Sequence, residues 1–432
     1  MITHHGGINT RYQLARYTSD LIKLAQDNID NPSVTEPCAI IISHNCTAVL
    51  CPGDQPVDQK ALKSMGSLSS ILIFIDTLVR NPATTFKAYS HMLGFLTDAS
   101  QNAQSAFLSH PKSISLMVAT LRSKDIQTRV SALGGILRLH LHNADNGRSQ
   151  PDPNVIMANV QTGIQLPDSS TSALAAYGME RSDLTLMLSC LRDHQNAMMK
   201  FVQTHDYYAL GMKLFQLIGR TEFSLADGIF GDEHGRPIEM GLPFAKWVDA
   251  MPHCANAIRE KGKPSEADAA NVVELKYFIL RARYKELRAL CPVALKNSPT
   301  VAFYYYAMSL GSEEHEDALR WAKKGLKCTG PTMTPYVRFG LLYSAIMNAG
   351  LMGIEYMTKA ARGESAWEDA YTFLRVGLED AKTFIAEAPP DSRNMSSAIL
   401  WCILFTVTLR GSDLSNDLRE IQVCSMITTI LF

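Results

Sequence analysis

The stretch that decides the fold is residues 301–328, which read VAFYYYAMSLGSEEHEDALRWAKKGLKC. Its second half predicts a helix that starts with acids and ends with lysines, the order that the helix macrodipole favours. Ser312 is expected to cap this helix, whose apolar face carries Ala318, Trp321 and Gly325 at helical spacing. The apolar residues upstream predict a partner helix, so the stretch indicates a helical hairpin.

This hairpin of about 30 residues resembles a tetratricopeptide repeat, whose period is about 34 residues. The usual first Trp of that repeat is absent here. Two further helices of the same array are predicted. Thr334-Pro335 is an N-cap followed by a first-turn proline, and an apolar stripe runs from Trp367 to Ile385. The alternative is a set of ordinary helical hairpins with no defined ligand.

A second repeat-like pattern lies in the amino half of the chain. Its two predicted helices carry apolar stripes at Ile114, Met117, Val118 and Leu121, and then at Ile126, Val130, Leu133, Leu137 and Leu141. The short polar turn Ser123-Lys124-Asp125 separates them. This phrase resembles an armadillo or HEAT repeat, in which neighbouring units bury the faces that one unit leaves open. An ordinary helical bundle is the alternative.

The positions of loop-forming residues along the chain predict five regions. They are an N-terminal helix plus a proline-containing loop segment (1–67), armadillo/HEAT-like helices (68–146), a linker (147–180), a tetratricopeptide-like array (181–422) and an atypical apolar tail (423–432). Within the first region, Ala39–Ile42 and Ala48–Leu50 are expected to be short strands or buried turn ends. We interpret the uncharged tail as translated intron or a truncated gene model.

Composition favours a soluble intracellular protein. The formal net charge of −1 indicates binding neither to nucleic acid nor to an anionic membrane. The start of the chain lacks the features of a signal peptide, and no stretch is expected to span a bilayer; Ser397–Leu409 comes nearest. The nine cysteines lack a disulfide-framework spacing, which predicts free thiols. The expected location is the cytoplasm, with the nucleus also possible.

A metal site has one candidate group in the sequence. Cys38, His44, Cys46 and Cys51 are all metal-ligand types, but the chain has no Cys-x-x-Cys pair of the kind that structural zinc sites use. Buried or half-buried thiols are therefore the favoured interpretation, with zinc as the alternative. Nucleotide-binding glycine motifs and a Gly-x-Ser-x-Gly nucleophile elbow are absent.

Three further groups have a functional and a structural interpretation. His140 and His142 suit a helix C-terminus. Asp249, His253 and Cys254 could suggest a cysteine nucleophile, but their spacing alone is weak support. The aromatic run Phe303–Tyr306 could form a ligand box, and burial by neighbouring helices is the favoured interpretation.

Several phrases in the second half resemble a known family. They include Gly241-Leu242-Pro243-Phe244, Ala322–Cys328, Thr334–Phe339 and Glu387–Arg393. The chain from about residue 100 to 422 resembles the MYND-type zinc-finger proteins of mushroom-forming fungi (basidiomycetes), in which a helical-repeat region accompanies a small zinc module. The finger itself is missing here, so none of its zinc ligands can be assigned. The resemblance implies protein–protein interaction, without zinc in this chain and without methyltransferase activity.

Together these observations predict an all-α protein, an α-solenoid with an armadillo/HEAT-like amino half and tetratricopeptide-like hairpins after it. We expect a non-catalytic scaffold that binds a peptide or helix of a partner protein, with no nucleic acid or membrane partner. No catalytic, cofactor-binding or metal residue is assigned, and no cofactor is expected unless the missing finger supplies zinc. The alternatives are a truncated zinc-finger regulator of transcription or signalling, or an enzyme with an unrecognised site.

Overall fold

The computed structural model describes residues 7–51, 58–139, 168–222, 228–230, 236, 238, 240–359 and 365–422. These residues form helices and connecting turns, with one isolated antiparallel bridge between Ile229 and Lys246. The prediction of an all-α fold is confirmed. The apolar tail 423–432 and the pair His140 and His142 lie outside the described residues.

The chain divides into two compact units. Residues 1–148 form the first unit together with 406–419, and residues 149–405 form the second together with 420–432. The division near residue 148 falls inside the segment predicted as a linker.

The helices of the first unit repeat in groups of three. They are α1 (Gly7–Ala15), α2 (Thr18–Asp27), α3 (Pro32–Leu50), α4 (Gln59–Ser64), α5 (Leu68–Arg80), α6 (Phe86–Ala99), α7 (Gln104–Ser109), α8 (Pro111–Thr120) and α9 (Ile126–Leu139). Helix α3 packs on α6 and α6 on α9, while α2 packs on α5 and α5 on α8. Helix α1 likewise packs on α4. Each helix in these three series therefore contacts the helix three places further along the chain.

Helix α3 replaces the loop and short strands that the sequence predicted for this region. The side chain of Asn31 caps it by accepting the backbone N–H of Ser33 at 3.1 Å, and Pro32 occupies the first turn. Pro37 lies inside the helix. Its missing N–H removes one helical hydrogen bond, and the loss is offset because α3 is buried against several neighbours. The prediction of short strands or buried turn ends at Ala39–Ile42 and Ala48–Leu50 is wrong, because both stretches belong to α3.

Helix α9 buries only part of the predicted stripe: Leu133 is buried as expected, but two other stripe residues are exposed. Val130 and Leu137 are 39% and 45% exposed, whereas Arg129 is 7% exposed. The Arg129 guanidinium donates to the carbonyl oxygen of Thr408 at 2.6 Å and to that of Ser123 at 2.7 Å. A charged side chain lies inside because it satisfies carbonyl groups, including one near the end of the last long helix.

The second unit contains a longer series of helices. They are α10 (Asp168–Tyr177), α11 (Asp183–Thr204), α12 (Tyr207–Ile218), α13 (Ala250–Lys261), α14 (Ala267–Leu280), α15 (Tyr284–Asn297), α16 (Ala302–Gly311), α17 (His315–Gly325), α18 (Pro335–Lys359), α19 (Ser365–Glu387) and α20 (Met395–Arg410). The last five residues of α20 belong to the first unit. Short 3-10 turns occur at Met179–Arg181, Trp247–Asp249, Pro264–Glu266 and Gly411–Asp413.

Helices α12 to α19 pack in two rows. From α12 to α19 each helix packs on the next one along the chain. In addition α12 packs on α14, α14 on α16 and α16 on α18, so these four form a continuous first row. The second row, α13, α15, α17 and α19, lacks comparable packing between its members in the described residues. The first row is buried on most sides, and its α16 carries the fully buried Tyr304.

The helical hairpin formed by residues 301–328 is partly as predicted. Phe303, Tyr304 and Tyr306 are buried, which confirms the structural interpretation of the aromatic run. Gly325 lies so close to Tyr305 that an added Cβ would sit 2.7 Å from the Tyr305 Cβ. Ser312, however, does not cap α17: its hydroxyl donates back to the Met308 carbonyl oxygen at 2.7 Å.

The first turn of α18 is as predicted. The hydroxyl oxygen of Thr334 accepts the N–H of Val337 at 3.3 Å, which confirms Thr334 as its N-cap.

Among the described residues, two helices are long and apolar enough to cross a membrane, judged by length and composition alone. They are Pro335–Met357 and Met395–Asp413, and 61% and 50% of an apolar 18-residue window in each are buried inside the structure. The expectation that no stretch spans a bilayer stays a prediction. Core helices of this length pass the same test, so the signal is weak.

Candidate functional site

A connected group of polar side chains in the second unit surrounds the Glu222 carboxylate. Lys276 on α14 places its Nζ atom 2.6 Å from one carboxylate oxygen. The Tyr336 hydroxyl, at the start of α18, donates to the other oxygen, which also lies 3.4 Å from Nη2 of Arg393. The hydroxyls of Tyr306 on α16 and Tyr336 are 3.5 Å apart. We call these five residues the Glu222 cluster.

The Glu222 cluster lies against the first row. Its members come from α14, α16 and α18, from the turn before α20, and from the segment that follows α12. The Lys276 side chain is 2% exposed and that of Glu222 is 17% exposed. A lysine and a glutamate at this depth must be paired, because an unpaired buried charge is costly.

The charges around Glu222 set its protonation state. Burial alone would raise the pKa of Glu222, but the positive charges of Lys276 and Arg393 and the hydrogen bonds from Lys276 and Tyr336 lower it to about 2. Burial, and then the negative charge of Glu222, raises the pKa of Tyr306 to about 12, and the same two causes raise the pKa of Tyr336 well above its usual value. At neutral pH the cluster is therefore a carboxylate held by one ammonium group, one guanidinium group and a phenol.

A second carboxylate continues this network toward α11. Asp391 accepts the backbone N–H groups of Asp183 at 3.0 Å and Leu184 at 2.8 Å, so it caps the start of α11 from a distant part of the chain. Burial, and then the negative charge of Asp391, raises the pKa of Asp183 to about 6. The motif Pro389–Arg393, one part of the family resemblance, thus holds two elements: Asp391 binds α11 and Arg393 binds Glu222.

A pocket lined by apolar side chains, with backbone polar atoms also exposed in it, lies in the connection between α12 and the Trp247–Asp249 turn. Its volume is about 280 Å³. The lining residues are Phe230, Ile238, Met240, Leu242, Pro243, Phe244 and Ala245. Ile238 at its rim is 46% exposed. A pocket of this size suits one large apolar side chain, because small-molecule sites usually exceed about 300 Å³.

Aromatic rings support the pocket from beneath. The Phe230 ring centroid lies 5.8 Å from that of Trp247, and the Phe244 centroid lies 6.2 Å from that of Phe201 on α11. The backbone N–H of Trp247 donates to the Gly228 carbonyl oxygen at 2.7 Å. These contacts hold Gly228 and Phe230 against Trp247, and they hold Phe244 against α11.

The candidate metal ligands are not brought together. Cys38, His44 and Cys46 lie on one helix, α3, where Cys46 is fully buried and its thiol is 3.7 Å from the Thr18 hydroxyl. Cys51 follows the helix and its thiol donates to the Asp98 carbonyl oxygen at 3.1 Å. Among the described residues, no three side chains of His, Cys, Asp or Glu come together in a way that could hold a metal ion.

The candidate nucleophile group is also separated by its contacts. Asp249 is paired with Arg281 at 2.6 Å, and the His253 ring lies 5.9 Å from that of Phe244. Cys254 is fully buried, and burial raises the pKa of its thiol to about 12. Because a thiolate is the reactive form, this thiol is inert at neutral pH.

Sequence reasoning missed the residues that make the site. Glu222, Lys276 and Arg393 lie far apart in the chain and belong to no spacing motif. The only signal was Lys276 itself, a lysine between Leu275 and the apolar residues Tyr277–Leu280, where a charge predicts a buried partner.

Neither a scan against protein-family models nor searches of the curated proteins and of the solved structures found a match to this chain.

Proposed function

We propose that this protein is a non-catalytic scaffold that binds a peptide segment of another protein. The observation that carries the proposal is the packing pattern: the described helices pack in a repeated order, with contacts three places apart in the first unit and contacts to the next helix in the second. Chains built in this way are extended stacks of similar units, whose surfaces serve binding.

The two units support two kinds of repeat. In the first unit, contacts between every third helix are what a stack of three-helix, armadillo-like units would give. In the second unit, two rows of alternating helices fit a tetratricopeptide-like array. The continuous first row supports the proposal of an α-solenoid, in which we take this row as the inner one and the second row as the outer one.

The pocket lined by Phe230, Ile238 and Phe244 supports this proposal. Interface energy concentrates where one partner inserts an apolar or aromatic side chain into a pocket. The pocket of about 280 Å³ accommodates one such anchor, and its exposed rim residue Ile238 allows entry from solvent. The bound segment is therefore a peptide with a central aliphatic or aromatic residue.

The test is selection of a random displayed-peptide library on the purified full-length chain. Enriched peptides are expected to share an apolar anchor residue and to bind Ile238→Asp at least tenfold more weakly than wild type, a loss of about 1.4 kcal/mol. Val293→Asp is the matched control, because Val293 is also an exposed aliphatic residue, at 60%, on a second-row helix. No enrichment, or equal loss in both variants, would overturn the proposal.

A further inference from the structure

The contacts of Glu222 have the form of a bound ligand. Its carboxylate receives an ammonium group at 2.6 Å, a phenol and a guanidinium group, each from a different element. Glu222 itself belongs to none of the helices; it lies in the connection that follows α12. The receiving groups are thus carried by the helical framework and the turn before α20, and the carboxylate is carried by a connecting segment.

We infer that Lys276, Tyr336 and Arg393 form a carboxylate-binding site of the first row, which the chain fills with its own Glu222. The competing ligand is an acidic side chain of the partner polypeptide, so this inference rests on the proposed function. Glu222 then acts as an internal ligand that keeps the site closed until a partner replaces it.

Replacement of Glu222 by a partner's acidic side chain is physically feasible because one carboxylate replaces another. Removing Glu222 with nothing in its place would leave the ammonium group of Lys276, 2% exposed, without its counter-charge. An incoming carboxylate restores the charge pair and the hydrogen bonds, so the main barrier is the high effective concentration of a ligand tethered to the same chain. An external acid must therefore be helped by other contacts of its own peptide.

The geometry also indicates which ligand is accepted. Tyr336 is the phenol donor, and the neighbouring Tyr306 is buried beside it at 4% exposure. Two tyrosine rings enclose the site, with the Lys276 Nζ atom 5.7 Å from the Tyr336 ring centroid. A flat carboxylate fits between these groups, and a neutral amide of the same shape would leave the lysine without a counter-charge.

The experiment vacates the site and refills it from solution. Glu222→Ala is compared with wild type by thermal unfolding, with acetate or N-acetyl-glutamic acid amide added against chloride at equal ionic strength. Both carboxylates are expected to raise the Tm of Glu222→Ala by about 1–3 °C in a saturable manner. The wild type should respond much less, because its own glutamate competes.

Two controls separate a specific site from a general salt effect. N-acetyl-glutamine amide has the same shape without the charge and should give no rise. The double variant Glu222→Ala with Lys276→Met lacks the ammonium group and should lose the acetate response. Equal responses of the single and double variants, or an equal response to the amide, would overturn the inference.

The test does not depend on a known partner, so its failure is distinguishable from failure of the peptide selection. If Glu222→Ala does not fold in chloride, the readout becomes the yield of folded protein after refolding in acetate against chloride. A higher yield in acetate supports the carboxylate site, and equal yields contradict it.

Discussion

Replacing Asp183 by Asn should stabilise the protein at neutral pH, which is unusual for a polar residue at a helix start. Burial and the nearby charge of Asp391 raise the pKa of Asp183 from 3.8 to about 6. A raised carboxyl pKa means that the folded state prefers the protonated form. The stability it contributes is present below pH 3.8 and is lost as the pH rises through 6.

The size of the effect follows from the same two values. The interval from 3.8 to about 6 corresponds to about 3 kcal/mol at most. Asp183 also begins α11, where an acid gains about 0.3–1 kcal/mol from the helix macrodipole. Allowing for this and for solvent screening at a partly exposed residue, we expect Asp183→Asn to gain about 1–2 kcal/mol at pH 7.5 and close to nothing at pH 4.

The assay is urea unfolding of both proteins at several pH values between 4 and 7.5. Burial lowers the pKa of His194 to about 4, so His194 opposes this trend over the same range. Its contribution cancels when the variant is compared with wild type at each pH. Asp317→Asn serves as the control, because Asp317 is an exposed first-turn acid of α17. A loss at pH 7.5, or a gain that does not change with pH, would refute the reasoning.

Four other substitutions test separate parts of the structure by urea unfolding. Lys276→Met should lower the free energy of unfolding by about 2–4 kcal/mol at pH 7, because Glu222 is left buried without its lysine partner. Adding Glu222→Gln to the same chain should recover part of this loss. If the losses of the two single variants simply add in the double variant, the pairing is contradicted. Arg129→Met should cost about 2–4 kcal/mol, because carbonyl groups lose a buried donor, and a change below 0.5 kcal/mol would argue against that role. Asn45→Leu should gain about 1–2 kcal/mol, since the Asn45 amide is fully buried without a hydrogen bond; a loss would indicate an internal water as its partner. Trp367→Ala should cost about 1–3 kcal/mol, less than a core tryptophan, because Trp367 is only partly buried; no loss would place the ring in solvent.

The helical class of this protein could be predicted because its signals are local. The stripe on α19 shows this: Ala370, Leu374, Gly377 and Leu378 recur at helical spacing and are buried in the structure. Thr334-Pro335 marked the start of α18 in the same way. Each of these features depends on residues within a few turns of one another.

Helix α3 was missed although the signal was present. Asn31-Pro32 has the same cap-and-proline form as Thr334-Pro335, and it begins a helix in the same way. The prolines were given the wrong weight, since Pro37 near the helix start removes only one hydrogen bond. The same cap rule, applied evenly along the chain, predicts both helices.

The candidate site and the orientation of α9 could not be predicted, because both depend on distant partners. Arg129 is buried because the Thr408 carbonyl lies beside it, 279 residues further along the chain. Glu222 and Tyr336 are 114 residues apart, and no local pattern links them. Periodicity identifies which residues share a helix face, but not which distant group a buried charge will meet.

The cap that Asp391 places on α11 has a consequence for anyone dividing this chain into fragments. The carboxylate lies 208 residues from the N–H group of Asp183 that it binds. A fragment that begins at α11 but stops before residue 390 keeps its helical hairpins. It nevertheless exposes the first backbone amide groups of α11, the helix with which it begins. Expression boundaries for the carboxyl-terminal unit should therefore be placed beyond Arg393, and limited proteolysis near Pro389 should loosen α11 before it loosens the helices in between.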